Sequence, residues 1–142
     1  MAYLYRQKIN LLELAPAKLQ PKTVLLAEPE EYLLALYSGY LHNSNFKVHH
    51  CDQVELLEDM IIRHSPHILI LSVHFFEQPA ENLHLLRRLK HNYPSLPIVT
   101  VGYKLNSDHL RQFMSAGIDS YIERMLTRPK DIIMVINTIF NL

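Results

Sequence analysis

Apolar residues recur along this chain in two alternating rhythms. TVLLA from Thr23, HILILS from His67 and PIVTVG from Pro97 are apolar almost throughout, as expected of parallel strands covered on both faces. FKVHHC from Phe46 is a weaker strand signal, and DSYIE from Asp119 a short one. Each strand is followed by a stretch with helical spacing. The first, from about Pro29 to Leu41, opens on a proline tolerated at a first helical position and sets Leu33, Leu36, Tyr37 and Tyr40 along one face. Asp52 with Glu55 has the form of a capping box, predicting a helix that turns Leu56, Met60 and Ile61 inward and ends before Pro66. A third helix, Pro79 to Asn92, buries Leu83, Leu86 and Leu89 and turns Arg87, Arg88, Lys90 and His91 outward as a solvated face. Asn106 or Ser107 caps the fourth, and Gly117 suits its exit. The fifth follows Pro129 with an inward stripe of Ile132, Val135, Ile136 and Ile139.

Strands alternating with helices at this spacing predict an α/β fold: a (βα)5 doubly wound, parallel five-stranded sheet with right-handed crossovers, flavodoxin-like in architecture. Residues 22–142 form that domain. Residues 1–21 are an N-terminal extension whose Tyr3, Leu4, Tyr5, Leu11, Leu12 and Leu14 need cover, either from their own domain or from another chain. In such folds the functional pocket lies beyond the C-terminal ends of the strands, where strand order reverses. That directs attention to Glu28, Pro29, Ser72, Gly102 and the loop after Ile122.

Composition then removes several function classes. Hydrophobic residues make up 49% and charged residues 20% of the 142, the balance of a globular domain. Fourteen Lys plus Arg against fourteen Asp plus Glu leaves no global field for nucleic acid or an anionic membrane. The lone Cys51 excludes an internal disulfide and fits a reducing cytoplasm. No apolar run approaches the roughly 20 residues that span a bilayer. His49 and Cys51 share a strand face, but two ligands without a third do not make a metal site. The loop EPEE after the first strand lacks the Gly, Ser and Thr donors that cradle a cofactor phosphate, so no cofactor is expected.

VLLAEPEE, PHILILS, PIVTVG and especially SAGIDSYIER together resemble a response-regulator receiver domain over about Lys22 to Leu142. Members of that family typically read Ala-Gly-Ala-x-x-Tyr-x-x-Lys-Pro across the fifth strand, and Ala116, Gly117 and Tyr121 stand in register with it. The resemblance implies phosphoryl transfer to an aspartate, with paired acids holding Mg²⁺, a switch hydroxyl and a lysine. Here the paired acids fall on Glu28 and Pro29, the acceptor on Ser72, the hydroxyl on Gly102, and the lysine with its proline on Arg124 and Met125. No aspartate occurs between Asp59 and Asp108, so no register supplies the acceptor. Arg124 either pairs with Glu28 and fills the pocket or points into solvent.

The expected function is therefore a non-enzymatic pseudo-receiver: a non-phosphorylatable, bacterial, cytoplasmic signalling module working through protein partners, alone or as a homodimer. The resemblance implies a signalling surface on the fourth helix, fifth strand and fifth helix. The candidate interface is His109, Gln112, Tyr121, Ile133, Asn137 and Phe140, because Ile133, Asn137 and Phe140 form a second stripe on the last helix. The competing expectation is an atypical phosphoacceptor or small enzyme in which His74 serves as base to a Ser72 nucleophile.

Overall fold

The computed structural model describes residues 21–126 and 128–141. Strands β1 (Thr23–Ala27), β2 (Lys47–Cys51), β3 (Ile68–Ser72), β4 (Ile98–Gly102) and β5 (Ser120–Glu123) form one parallel sheet in the order β2-β1-β3-β4-β5. Order reverses between β1 and β3, whose register pairs Ala27 with Leu71 and so brings their C-terminal ends together. The helices are α1 (Glu31–Asn43), α2 (Leu57–His64), α3 (Pro79–Asn92), α4 (Ser107–Ser115) and α5 (Pro129–Phe140). Among the described residues this is the (βα)5 flavodoxin-like fold that the apolar rhythm predicts. The N-terminal extension lies outside them up to residue 20.

The sheet separates two apolar layers because successive strand side chains point to opposite faces. Leu25, Leu69 and Leu71 pack under α2, α3 and α4 with Leu57, Leu86, Leu89 and Phe113. Val24, Leu26, Ile68, Ile70, Val99 and Val101 pack under α1 and α5 with Tyr37, Leu41, Ile132 and Ile136. β3 and β4 are buried at every position, which is why their sequences are apolar without alternation.

Three local expectations are corrected. α1 begins at Glu31, so Pro29 precedes the helix, and Tyr37 with Leu41 is buried while Tyr40 stays 45% exposed. Asp52 and Glu55 form no capping box. Val54–Leu56 is a 3₁₀ turn, the α-helix starts at Leu57, and Leu57 with Ile61 goes inward while Leu56 is exposed. The tighter turn rotates the apolar register by one residue. On α5, Ile133 and Phe140 are half-buried against the layer beneath α1 and α5, so the second stripe is partly consumed by the fold's own packing.

Other signals correspond to visible contacts. Asn106 Oδ1 accepts the His109 N–H at 2.8 Å and caps α4, and Gly117 leaves it at φ 99°, a conformation that favours glycine.

Candidate functional site

Glu28 follows β1 and is only 1% exposed, its backbone N–H donating to Cys51 O at 2.9 Å. Ser72 ends β3 and is buried beside it. Arg124, in the 3₁₀ turn that follows β5, reaches across both. Its Nη2 makes an ion pair with Glu28 Oε1 and donates to Ser72 Oγ at 3.3 Å. The Glu30 N–H donates to Glu28 Oε2 at 3.2 Å. Thus the structure brings together Glu28, Ser72 and Arg124, leaves Pro29 exposed at the rim, and resolves the orientation of Arg124 in favour of the pocket.

Burial raises the Glu28 carboxyl above its ordinary value, while the Glu30 N–H, the Arg124 guanidinium and the Ser72 hydroxyl oppose that rise. Close pairing and a raised pKa are compatible here because desolvation is the largest influence on so deeply buried a group. The geometry supplies one carboxylate and one fixed cation where a divalent metal would need oxygen ligands. Among the described residues no group of three or more His, Cys, Asp or Glu could hold a metal ion. His49 stacks on His64 with ring centroids 3.7 Å apart, and Cys51 Sγ donates to Gln53 O at 3.0 Å, so the two have separate partners.

The Ser72 hydroxyl accepts the backbone N–H of His74 at 3.1 Å. The His74 ring itself stands edge-on to Tyr103 with centroids 4.1 Å apart, and its buried Nε2 has no hydrogen-bond partner among the described residues. The geometry therefore does not set His74 against Ser72 as a base. Burial, and secondarily the Arg124 charge, lower the His74 pKa to about 4. It is neutral at physiological pH but unengaged as a base.

Gly102 ends β4 where a switch hydroxyl would stand. A Cβ there would overlap Val73 Cγ2 and lie 2.8 Å from the Tyr121 hydroxyl. Tyr121 fills that space, donating to Tyr103 O at 2.5 Å and packing edge-on against Phe113. Burial is the main reason its phenol is pushed up to about 12, so it remains a donor. Glycine is thus required here first by Val73 and then by the Tyr121 hydroxyl.

Sequence reasoning missed three participants. Tyr37 is buried beneath Arg124, which opposes the burial-driven rise of its phenol pKa. Tyr103 supplies both the ring over His74 and the carbonyl that Tyr121 grips. Asn82, buried in α3, donates to Val73 O at 2.9 Å and Phe76 O at 3.1 Å, fixing the loop that carries His74. Its signal was available: an amide in the register of Leu86 and Leu89. Of the candidate interface, His109 is half-buried and Gln112 exposed on α4, and Tyr121 is half-buried at the edge strand. Ile133, Asn137 and Phe140 are half-buried on α5.

No family model and no curated protein matches this sequence. Solved structures do match its fold. A CheY-like receiver domain from Methanospirillum hungatei is similar at TM-score 0.76 and 16% identity, covering 86% of this chain and 95% of that one. A Thermotoga maritima response regulator gives 0.74 and 18%, covering 87% and 99%. The BeF3-activated receiver domain of Klebsiella pneumoniae RstA gives 0.72 and 18%, covering 82% and 96%.

Arg124→Ala leaves a buried carboxylate without its cation and should cost about 3 kcal/mol in urea unfolding. The double replacement Glu28→Leu with Arg124→Met should cost clearly less, and equal losses would show that the pair is not the source. The His74 ring should titrate near pH 4 by NMR, because its depressed pKa means the folded state binds fewer protons than the unfolded one. Its stabilising contribution is complete above about pH 6.5 and lost as pH falls toward 4; a midpoint near 6.5 would contradict this environment. Gly102→Thr should destabilise by roughly 1–3 kcal/mol through overpacking against Val73 and Tyr121, and an unchanged midpoint would show that both side chains give way readily.

Proposed function

We propose that this chain is a receiver-like signalling module that does not accept phosphoryl groups and acts by protein contact, without being an enzyme. The observation that carries the reading is the Arg124 guanidinium bound between Glu28 and Ser72 at the point where a receiver would hold its metal and acceptor. Phosphoryl transfer needs an acceptor and cations placed to meet developing charge. In this pocket the cation is already neutralised, and the acceptor position carries a hydroxyl held by two donors. A protein with this architecture fits a bacterial cytoplasmic signalling pathway in which one surface is presented continuously.

The partner surface on this reading lies at the β5 edge and on α4, around Tyr121, His109 and Gln112. Leu110 and Met114 are exposed large apolar side chains on α4, and Tyr103 and Met125 flank the strand end. Tyr121 holds Tyr103 by its carbonyl, so the site and the surface share one hydrogen bond. Ile133, Asn137 and Phe140 belong to the proposed surface only at its half-buried margin. Met114 is therefore the cleaner position to perturb.

Incubation with acetyl phosphate and Mg²⁺ should leave the intact mass unchanged, and beryllofluoride should leave the amide spectrum unchanged. A stable phosphoryl adduct or Mg²⁺-dependent shifts across β4 and β5 would sink the reading. Ser72→Asp should also remain unphosphorylated, because Arg124 still occupies the pocket. Met114→Asp should weaken a partner captured by the wild-type chain by about 2 kcal/mol if it sits centrally in the interface, with circular dichroism unchanged. Equal capture by both chains would move the interface away from α4.

A further inference from the structure

A second space lies beside the Glu28–Arg124 pair. It is a cavity of about 520 Å³ lined by His74 from the loop after β3, Tyr103 and Lys104 from the loop after β4, and Glu123, Arg124 and Met125 at the end of β5. Neither Glu28 nor Ser72 lines it. Its volume falls in the range of roughly 300–1,000 Å³ that small-molecule sites occupy. The three segments meet here because β3, β4 and β5 are neighbours in the sheet and their C-terminal ends lie together.

Two of these wall residues carry a polar atom that is sealed from solvent and has no hydrogen-bond partner among the described residues: His74 Nε2 and Arg124 Nε. The Arg124 Nη2 is engaged by Glu28 and Ser72, so the ion pair leaves Nε over. The two residues are close enough for the Arg124 charge to help hold the His74 ring neutral. Folded proteins rarely bury a donor or acceptor unmatched, because the lost hydration is not recovered. Two such atoms on wall residues of one cavity mark where the polar edge of a ligand is met.

The rest of the wall sets the class of ligand. Arg124 is balanced by Glu28, and Lys104 and Glu123 carry opposite charges, so the cavity has no excess charge to select an ion. Tyr103 is 53% and Met125 88% exposed, and both offer large apolar groups to a flat ring. Arg124 Nε–H can only donate, whereas neutral His74 with its proton on Nδ1 accepts at Nε2. We infer that this cavity binds a small, uncharged planar ring in which a carbonyl stands beside an N–H, the carbonyl accepting from Arg124 Nε and the N–H donating to His74 Nε2. The Tyr103 ring, edge-on to His74, turns aside to admit the ligand while the Tyr103 carbonyl stays held by Tyr121. Such a ligand adds contacts to the existing arrangement of the β5 edge and needs neither phosphoryl chemistry nor a protein partner.

The test titrates the ¹⁵N-labelled full chain with isocarbostyril, a benzo-fused lactam, and separately with its N-methyl derivative, each to its solubility limit. Saturable shifts are expected at the Arg124 side-chain Nε–H and at the amides of His74, Tyr103 and Met125, with the amides of α2 unmoved. The N-methyl compound keeps the carbonyl and loses the donor, so it should bind about tenfold more weakly. His74→Phe keeps a ring against Tyr103 and removes Nε2; this variant should bind the lactam about tenfold more weakly than the wild-type chain and no longer distinguish the two compounds. No saturable shift with either compound, or shifts centred away from these residues, would overturn the inference. So would equal affinity of the wild-type chain for both, or a preference for the lactam that persists in His74→Phe, since either would show that Nε2 accepts nothing. If that variant does not fold, the comparison of the two compounds on the wild-type chain decides alone.

Discussion

A carboxylate sealed to 1% exposure must find its compensation inside the protein, and at the end of β1 Glu28 finds it in Arg124. The pairing joins residues 96 positions apart in sequence and ties the end of β5 to the reversal point of the sheet. It also has a cost. Both groups are desolvated, the Glu28 pKa is still raised, and Arg124 Nε is buried without a hydrogen-bond partner among the described residues. An internal ion pair of this kind contributes less to stability than to specification. It decides that the pocket contains a guanidinium and that the turn after β5 lies over Ser72.

The second constraint is steric and acts next to the first. A side chain at Gly102 would run into Val73 and then the Tyr121 hydroxyl, and that hydroxyl holds the Tyr103 carbonyl. In a two-state signalling domain a ligand shifts the surface by binding one state better than the other. A pocket already filled by Arg124 offers a ligand little differential contact, and an inward tyrosine already has its bond. Both features favour a single arrangement of the β5 edge, with the exposed apolar side chains of α4 beside it.

Much of this architecture was legible in the chain because buried parallel strands must be apolar and helices on a sheet must repeat at 3.6 residues. Local chemistry was harder. Asp52 and Glu55 have the spacing of a capping box, yet an intervening 3₁₀ turn moved the buried position from Leu56 to Leu57, because packing overrides a local signal of about 1 kcal/mol. Glu28, Ser72 and Gly102 were identifiable from their place in the strand pattern, and Arg124 from the resemblance to a receiver domain. Whether Arg124 met Glu28 depended on a contact between distant segments, which periodicity does not encode. Tyr37 was read on the helix's apolar face, but its place beside Arg124 and the role of Tyr103 were invisible for the same reason, while Asn82 could have been found as a polar residue in an apolar register.

The claim that the β5 edge is held in one arrangement is tested most directly by ¹⁵N relaxation dispersion at Gly102, Tyr103 and Tyr121 in the unmodified protein, where millisecond exchange between two surface states would be visible. The account predicts flat profiles at these three amides, unchanged by Mg²⁺ and beryllofluoride. Exchange at all three with a common rate, suppressed when those ligands are added, would show a working switch and contradict it.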